Sequence, residues 1–209
     1  MDYNFIVLEG GDGTGKSTQA RRLKAYIESV GKEVVLTREP GGTPGAEEIR
    51  SLLLTGDKDK LVPESDLLLF YAARMDHVKQ LILPSLKEGK VVITDRFDLS
   101  TWAFQAEPNR DLHELFQYLH KLVTKELRST WKRRSKGILL DVSLEVASER
   151  MDARFEELDR MENVVGGVIK QRRKAYLQKA SELFPYYEII DATPDEDTVF
   201  QSIRTALSK

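Results

Sequence analysis

The chain has no cysteine, which excludes disulfides and thiolate metal sites and suits a reducing cytoplasm. It also has no apolar run approaching the roughly 20 residues that a membrane helix needs, so no membrane partner is expected. Neither charge sign dominates: 32 basic against 34 acidic side chains leave a formal net charge of −2. That excludes recruitment of nucleic acid by a global positive field, and any phosphate binding must be local. Internal repeats, low-complexity tracts and a flexible interdomain linker are missing too. An apolar strand begins within a few residues of Met1, so no signal peptide is expected. The 209 residues, 41% hydrophobic and 32% charged, read as one domain, 1–209, with a single well-buried core.

What is present begins with Gly10, Gly11, Asp12, Gly13, Thr14, Gly15, Lys16, Ser17 and Thr18, which carry the full spacing of a phosphate-binding loop. Before it, Phe5 to Leu8 read as a buried strand; after it, Ala20, Leu23, Ile27 and Val30 recur at helical spacing. Strand, glycine-rich turn and helix start place backbone amides and the positive end of a helix dipole around a polyphosphate. Lys16 can then reach the outer phosphates, and the Ser17 hydroxyl can ligate a magnesium ion.

Further along, strand-like runs alternate with helical patterns, which predicts an α/β fold with a five-stranded parallel sheet wrapped by helices. Strands are expected at 33–37, 91–95, 138–142 and 187–191 besides the first. Thr43 should cap a helix opening at Pro44 and running to about Leu54. A long helical pattern from Pro63 should bend or restart at Pro84. Another is expected to start at Ser100 and a further one to span Leu112 to Leu127. The basic run 131–136 reads as a solvated helix end, and Thr193-Pro194-Asp195-Glu196 as a capping box that opens the last helix. Between Asp152 and Glu162 the chain is too polar for core.

A phosphate loop alone does not name the acceptor. Arg38, Arg50, Arg74 and Arg96 fall near strand ends or on helices that could line the cleft. Guanidinium is a natural phosphate clamp, each charge-assisted hydrogen bond contributing about 1.5–3 kcal/mol. Taken singly each arginine reads as a surface ion pair; their company with Glu39, Asp95 and the phosphate loop points to a second anion site.

Five stretches, 8–17, Thr37-Arg38-Glu39-Pro40-Gly41-Gly42-Thr43, 69–74, Asp95-Arg96-Phe97-Asp98-Leu99-Ser100-Thr101 and 158–162, come in the order and spacing of the thymidylate kinases, which the chain resembles over nearly its whole length, in their bacterial form. The resemblance implies a P-loop NTPase fold of the nucleoside monophosphate kinase kind, ATP and dTMP as substrates, magnesium, and a homodimer. It implies that Phe70 stacks on thymine and Arg74 faces the base. Arg38 and Arg96 hold the acceptor phosphate, and Thr101 and Gln105 complete the pocket, with Glu39, Pro40, Arg50 and Ser100 beside them. Asp12 would meet the 3′-hydroxyl and Asp95 would order magnesium with Ser17. Residues 152–162 would form a lid whose Arg154 and Arg160 supply catalytic charge, because Gly13 stands where some relatives carry a loop arginine. Arg150 would pack on adenine, with the loop at Ala192 closing that side.

The chain departs from the pattern in several places. Phe97 replaces a tyrosine or histidine, Ala106-Glu107-Pro108-Asn109 replaces glycines after Gln105, the segment 131–137 lacks a Pro-Asp, and the lid is one residue longer. Two rivals remain open at this level: a kinase of relaxed specificity that also accepts dUMP or another deoxynucleotide, and a nucleotide-dependent switch without turnover.

Overall fold

A computed structural model describes residues 2–57, 59–152 and 166–208. The sheet is five-stranded and all its pairings are parallel, in the order β2-β3-β1-β4-β5. Its strands are β1 Phe5–Glu9, β2 Val34–Arg38, β3 Val91–Asp95, β4 Ser135–Asp141 and β5 Tyr187–Asp191. Central β1 is buried throughout, and its period-two alternation divides the core. Phe5 and Val7 join one apolar layer with Leu67, Phe97 and Phe116, while Ile6 and Leu8 join another with Leu23, Ile27 and Ile203.

The helices follow from local signals. The first, α1 (Lys16–Ser29), starts directly after Gly15, and Gly31 behind it adopts a left-handed φ of 82°. Thr43 caps α2 (Pro44–Leu54) through the Ala46 amide at 3.3 Å, as its sequence predicts. Next, α3 (Pro63–His77) passes through a wide turn, Val78–Ile82, into α4 (Leu83–Lys87). Pro84 has no N–H to give, and the widened turn lets it fall in the first turn of a new helical segment. After β3 come the single turn α5 (Asp98–Thr101), a second wide turn Trp102–Ala106, and α6 (His113–Trp131). The last three helices are α7 (Leu144–Asp152), α8 (Gly166–Lys179) and α9 (Glu196–Ala206).

Three expectations are corrected. The basic run is not wholly a helix end: Lys132–Arg134 form a tight turn and β4 already begins at Ser135, pairing with Phe5. Lys136 therefore lies in the sheet, 2.7 Å from Glu188. The last helix is capped by Asp195, which accepts from the Asp197 and Thr198 amides, each at 3.0 Å. Thr193 is displaced from that role because its own amide is held by Asp191 at 2.9 Å. The helix expected from Ser100 starts two residues earlier, at Asp98, whose buried carboxylate is held by Tyr71 and Arg74.

Candidate active site

The phosphate loop leaves the carboxyl end of β1, the edge of an open parallel sheet where ligands bind. Its glycines take conformations closed to other residues, with φ of 145° at Gly10, 77° at Gly13 and 86° at Gly15. Thr14 Oγ1 donates to the Gly11 carbonyl at 2.8 Å, and Lys16 Nζ donates to the same oxygen at 2.6 Å. Burial, with Arg96 nearby, lowers the Lys16 ammonium to about 8. Ser17 Oγ donates to Asp95 Oδ2 at 2.6 Å, while Asp95 Oδ1 is buried without a hydrogen-bond partner among the described residues. Thr18 follows in the first turn of α1. Arg150 donates to the carbonyls of Ala192 at 2.9 Å and Thr193 at 3.1 Å, tying α7 to the loop after β5.

One cleft of about 220 Å³ brings the two halves together. Lys16, Ser17 and Asp95 line it from the phosphate-loop side; Asp12, Arg38, Glu39, Pro40, Arg50, Phe70, Arg74, Arg96, Ser100, Thr101 and Gln105 line the rest. Every residue assigned to the acceptor from the sequence therefore reaches one space. Phe70 is 8% exposed and presents its ring there. Arg50 Nη1 donates to the Pro40 carbonyl at 2.8 Å, and half-exposed Arg38 pairs with Glu47 at 3.1 Å. Glu47 also accepts from the Gly42 amide at 2.9 Å, which holds the loop after β2 and keeps its carboxyl below the usual range.

Below the cleft lies a buried polar network. Arg74 donates through Nε to Glu39 at 2.5 Å, through Nη1 to Asp98 at 3.1 Å and through Nη2 to Thr101 at 2.8 Å. His77 bridges Glu39 at 2.9 Å and Thr37 at 2.8 Å, and Tyr71 donates to Asp98 at 2.6 Å. His120 Nδ1 lies 2.9 Å from Asp98 Oδ2. Burial opposes charge on Asp98, but Arg74 and His120 outweigh it and hold the carboxyl below its ordinary value.

Arg96 sits between both halves. It donates to the Gly10 carbonyl at 3.1 Å, to Ser100 Oγ at 3.0 Å and to Tyr176 at 3.1 Å, and it pairs with Asp12. Burial works against the Asp12 charge as well, yet Arg96, Lys16 and Arg172 keep that carboxyl low.

Arg154 and Arg160, with nearly all of the lid at 152–162, lie outside the described residues. The sequence left other contributors without a role. Glu9 and Asp98 could have been suspected, since each puts a carboxylate within a motif otherwise explained. His77, His120 and Tyr176 sit in ordinary helical patterns that carry no such signal.

The family model for thymidylate kinase matches residues 8–203. The chain is 42% identical over 196 residues to the thymidylate kinase of Ruegeria pomeroyi, covering 93% of this chain and 90% of that one. It is 48% identical over 159 residues to that of Dinoroseobacter shibae, covering 76% and 73%. The crystal structure of thymidylate kinase from Ehrlichia chaffeensis superposes with a TM-score of 0.74 at 29% identity, over 98% of each chain.

Proposed function

The chain belongs to the thymidylate kinase family, and on that premise we propose that its cleft transfers the γ-phosphoryl group of ATP to dTMP, giving dTDP and ADP on the way to dTTP. The observation that carries this is the shared cleft, in which Lys16 and Ser17 face Phe70 and Arg74 across Arg96. A donor held by main-chain amides thus meets an acceptor held by guanidinium groups.

Thymine stacks on Phe70, a contact worth about 1–3 kcal/mol for an aromatic on a base. Arg74 is fixed on three sides by Glu39, Asp98 and Thr101, so its position beside the base costs no ordering on binding. Arg38 and Arg96 hold the acceptor phosphate, and Asp12 takes the 3′-hydroxyl. The acceptor's phosphate oxygen attacks the γ-phosphorus as the bond to the β,γ-bridging oxygen breaks. Lys16 and Arg96 face the charge that spreads over the transferred group, with Arg154 and Arg160 of the lid as further cations. Arg150 packs on the adenine.

Ser17 and Asp95 fit a magnesium ion, since their oxygens are adjacent and Asp95 Oδ1 is an orphaned buried acceptor. Among the described residues no group of three carboxylate or imidazole side chains forms a cage. When bound, magnesium neutralises charge on the β- and γ-phosphates. No helix among the described residues is long and apolar enough to cross a membrane, and we place the enzyme in the cytoplasm as a homodimer.

The test is ADP release with dTMP, dUMP, dGMP and dCMP. dTMP should give the highest kcat/KM. A better acceptor among the others would replace the substrate assignment, and no acceptor-dependent release would remove the activity.

A further inference from the structure

Glu9 closes β1 immediately before the phosphate loop and is completely buried. Its Oε1 accepts from the Phe97 amide at 2.7 Å and the Ser100 amide at 3.0 Å, and its Oε2 accepts from Ser100 Oγ at 2.5 Å. Those donors all follow Arg96, whose φ of 71° is left-handed, a conformation that a side-chain-bearing residue rarely adopts. By gathering the chain on the far side of that residue, Glu9 holds the turn that sends the Arg96 guanidinium back over Gly10. Ser100 Oγ and Tyr176 OH, 2.8 Å apart, each meet Arg96 Nη1 and close the ring.

Taking the cleft as the dTMP site proposed above, we propose that Glu9 is the positioning residue for Arg96 and takes up a proton when the acceptor phosphate binds. Arg96 is the cation on which a charged Glu9 depends; the other titratable groups facing it are Lys16 of α1, Tyr176 of α8 and Tyr187 of β5. A phosphate dianion on Arg96 spends that cation's field, and the carboxylate then binds a proton from solvent. The proton goes to Oε2, which turns from accepting to donating towards Ser100 Oγ. Ser100 in turn donates to Tyr176, while Oε1 keeps both amides, so the turn survives. Burial pushing the carboxyl up to about 7, against the pull of Ser100 and Arg96, agrees with this poise.

Calorimetric titration with dTMP at pH 7.5, in buffers of low and high ionisation enthalpy, counts the protons. Free dTMP is then almost wholly dianionic, the second phosphate pKa being about 6. Wild type should take up clearly more protons per dTMP than Glu9→Gln, from a carboxyl that burial holds well above its ordinary value. Glu9→Gln imitates the protonated acid and should bind dTMP within about threefold of wild type, which is under 1 kcal/mol. Its uptake should fall well below that of wild type. Equal proton counts would overturn the proposal and leave the dTMP reading standing, whereas wild type that binds no dTMP would overturn that reading itself. Should Glu9→Gln not fold, the 13C resonance of the wild-type Glu9 carboxyl serves. A shift to the protonated position on saturation with dTMP supports the proposal, and an unchanged resonance overturns it.

Discussion

Asp98 illustrates how much a single buried charge carries. Its oxygens meet Tyr71 and Arg74, with His120 at 2.9 Å, so Asp98→Ala takes one of two carboxylate partners from a guanidinium that is 2% exposed and leaves it to Glu39 and Thr101. Breaking one side of a buried pair costs about 3–5 kcal/mol, and urea unfolding should show that loss as a lower midpoint. The acid limb follows from the direction of its shift. The folded carboxyl lies below its ordinary value of 3.8, so the stability it contributes is complete above that value and is lost as pH falls through the folded one. Wild type should therefore lose more of its Tm on acidification than Asp98→Asn. Glu9 runs the other way: raised from 4.5 to about 7, it favours the folded state below 4.5 and ceases to do so as pH rises through 7. In Glu9→Gln the fall in Tm between these limits should be smaller.

The phosphate loop shows why an element can be fixed by what surrounds it. At Gly13, φ is 77° and a Cβ would lie 2.6 Å from the Ala147 carbonyl oxygen in α7. A side chain there would collide with α7 on this backbone, which accords with the proposal that other elements supply catalytic charge. Gly13→Ala should raise KM for ATP at least about tenfold, equivalent to about 1.4 kcal/mol, while the affinity for dTMP measured by calorimetry stays close to wild type. This loop, the strands and the Thr43 cap were legible because each has a local cause: glycine torsions, short continuous apolar runs, a hydroxyl before a proline. The Asp195 cap and the start of β4 were not, since both depend on competition. Asp191 claims the Thr193 amide, and β1 extends its pairing to Ser135. The acceptor-side residues could be named from motif resemblance, but the support beneath them could not. His77 reaches Glu39 only because α3 packs across the loop after β2, and nothing in its neighbours in sequence announces that contact.

At the scale of the whole molecule, α3 and α6 lie against each other, and each shows apolar side chains to solvent: Leu68 on the first, Tyr118 and Leu122 on the second. Tyr118 and Leu122 are four residues apart and so share one face of α6, with Leu115 and Leu119 half-buried alongside. The opposite face carries Phe116 and His120 into the core, and His120 touches Asp98, the anchor of Arg74. A homodimer formed through the exposed face would thus press on the helix that supports the acceptor pocket while leaving the phosphate loop alone. Sedimentation should find wild type at twice the 23.9 kDa of one chain, and Leu122→Glu with Tyr118→Glu should convert it to monomer. If the support runs through α6, that monomer keeps its KM for ATP and loses affinity for dTMP. Equal effects on both substrates would show that the face stabilises the fold as a whole, and a monomeric wild type would remove the dimer altogether.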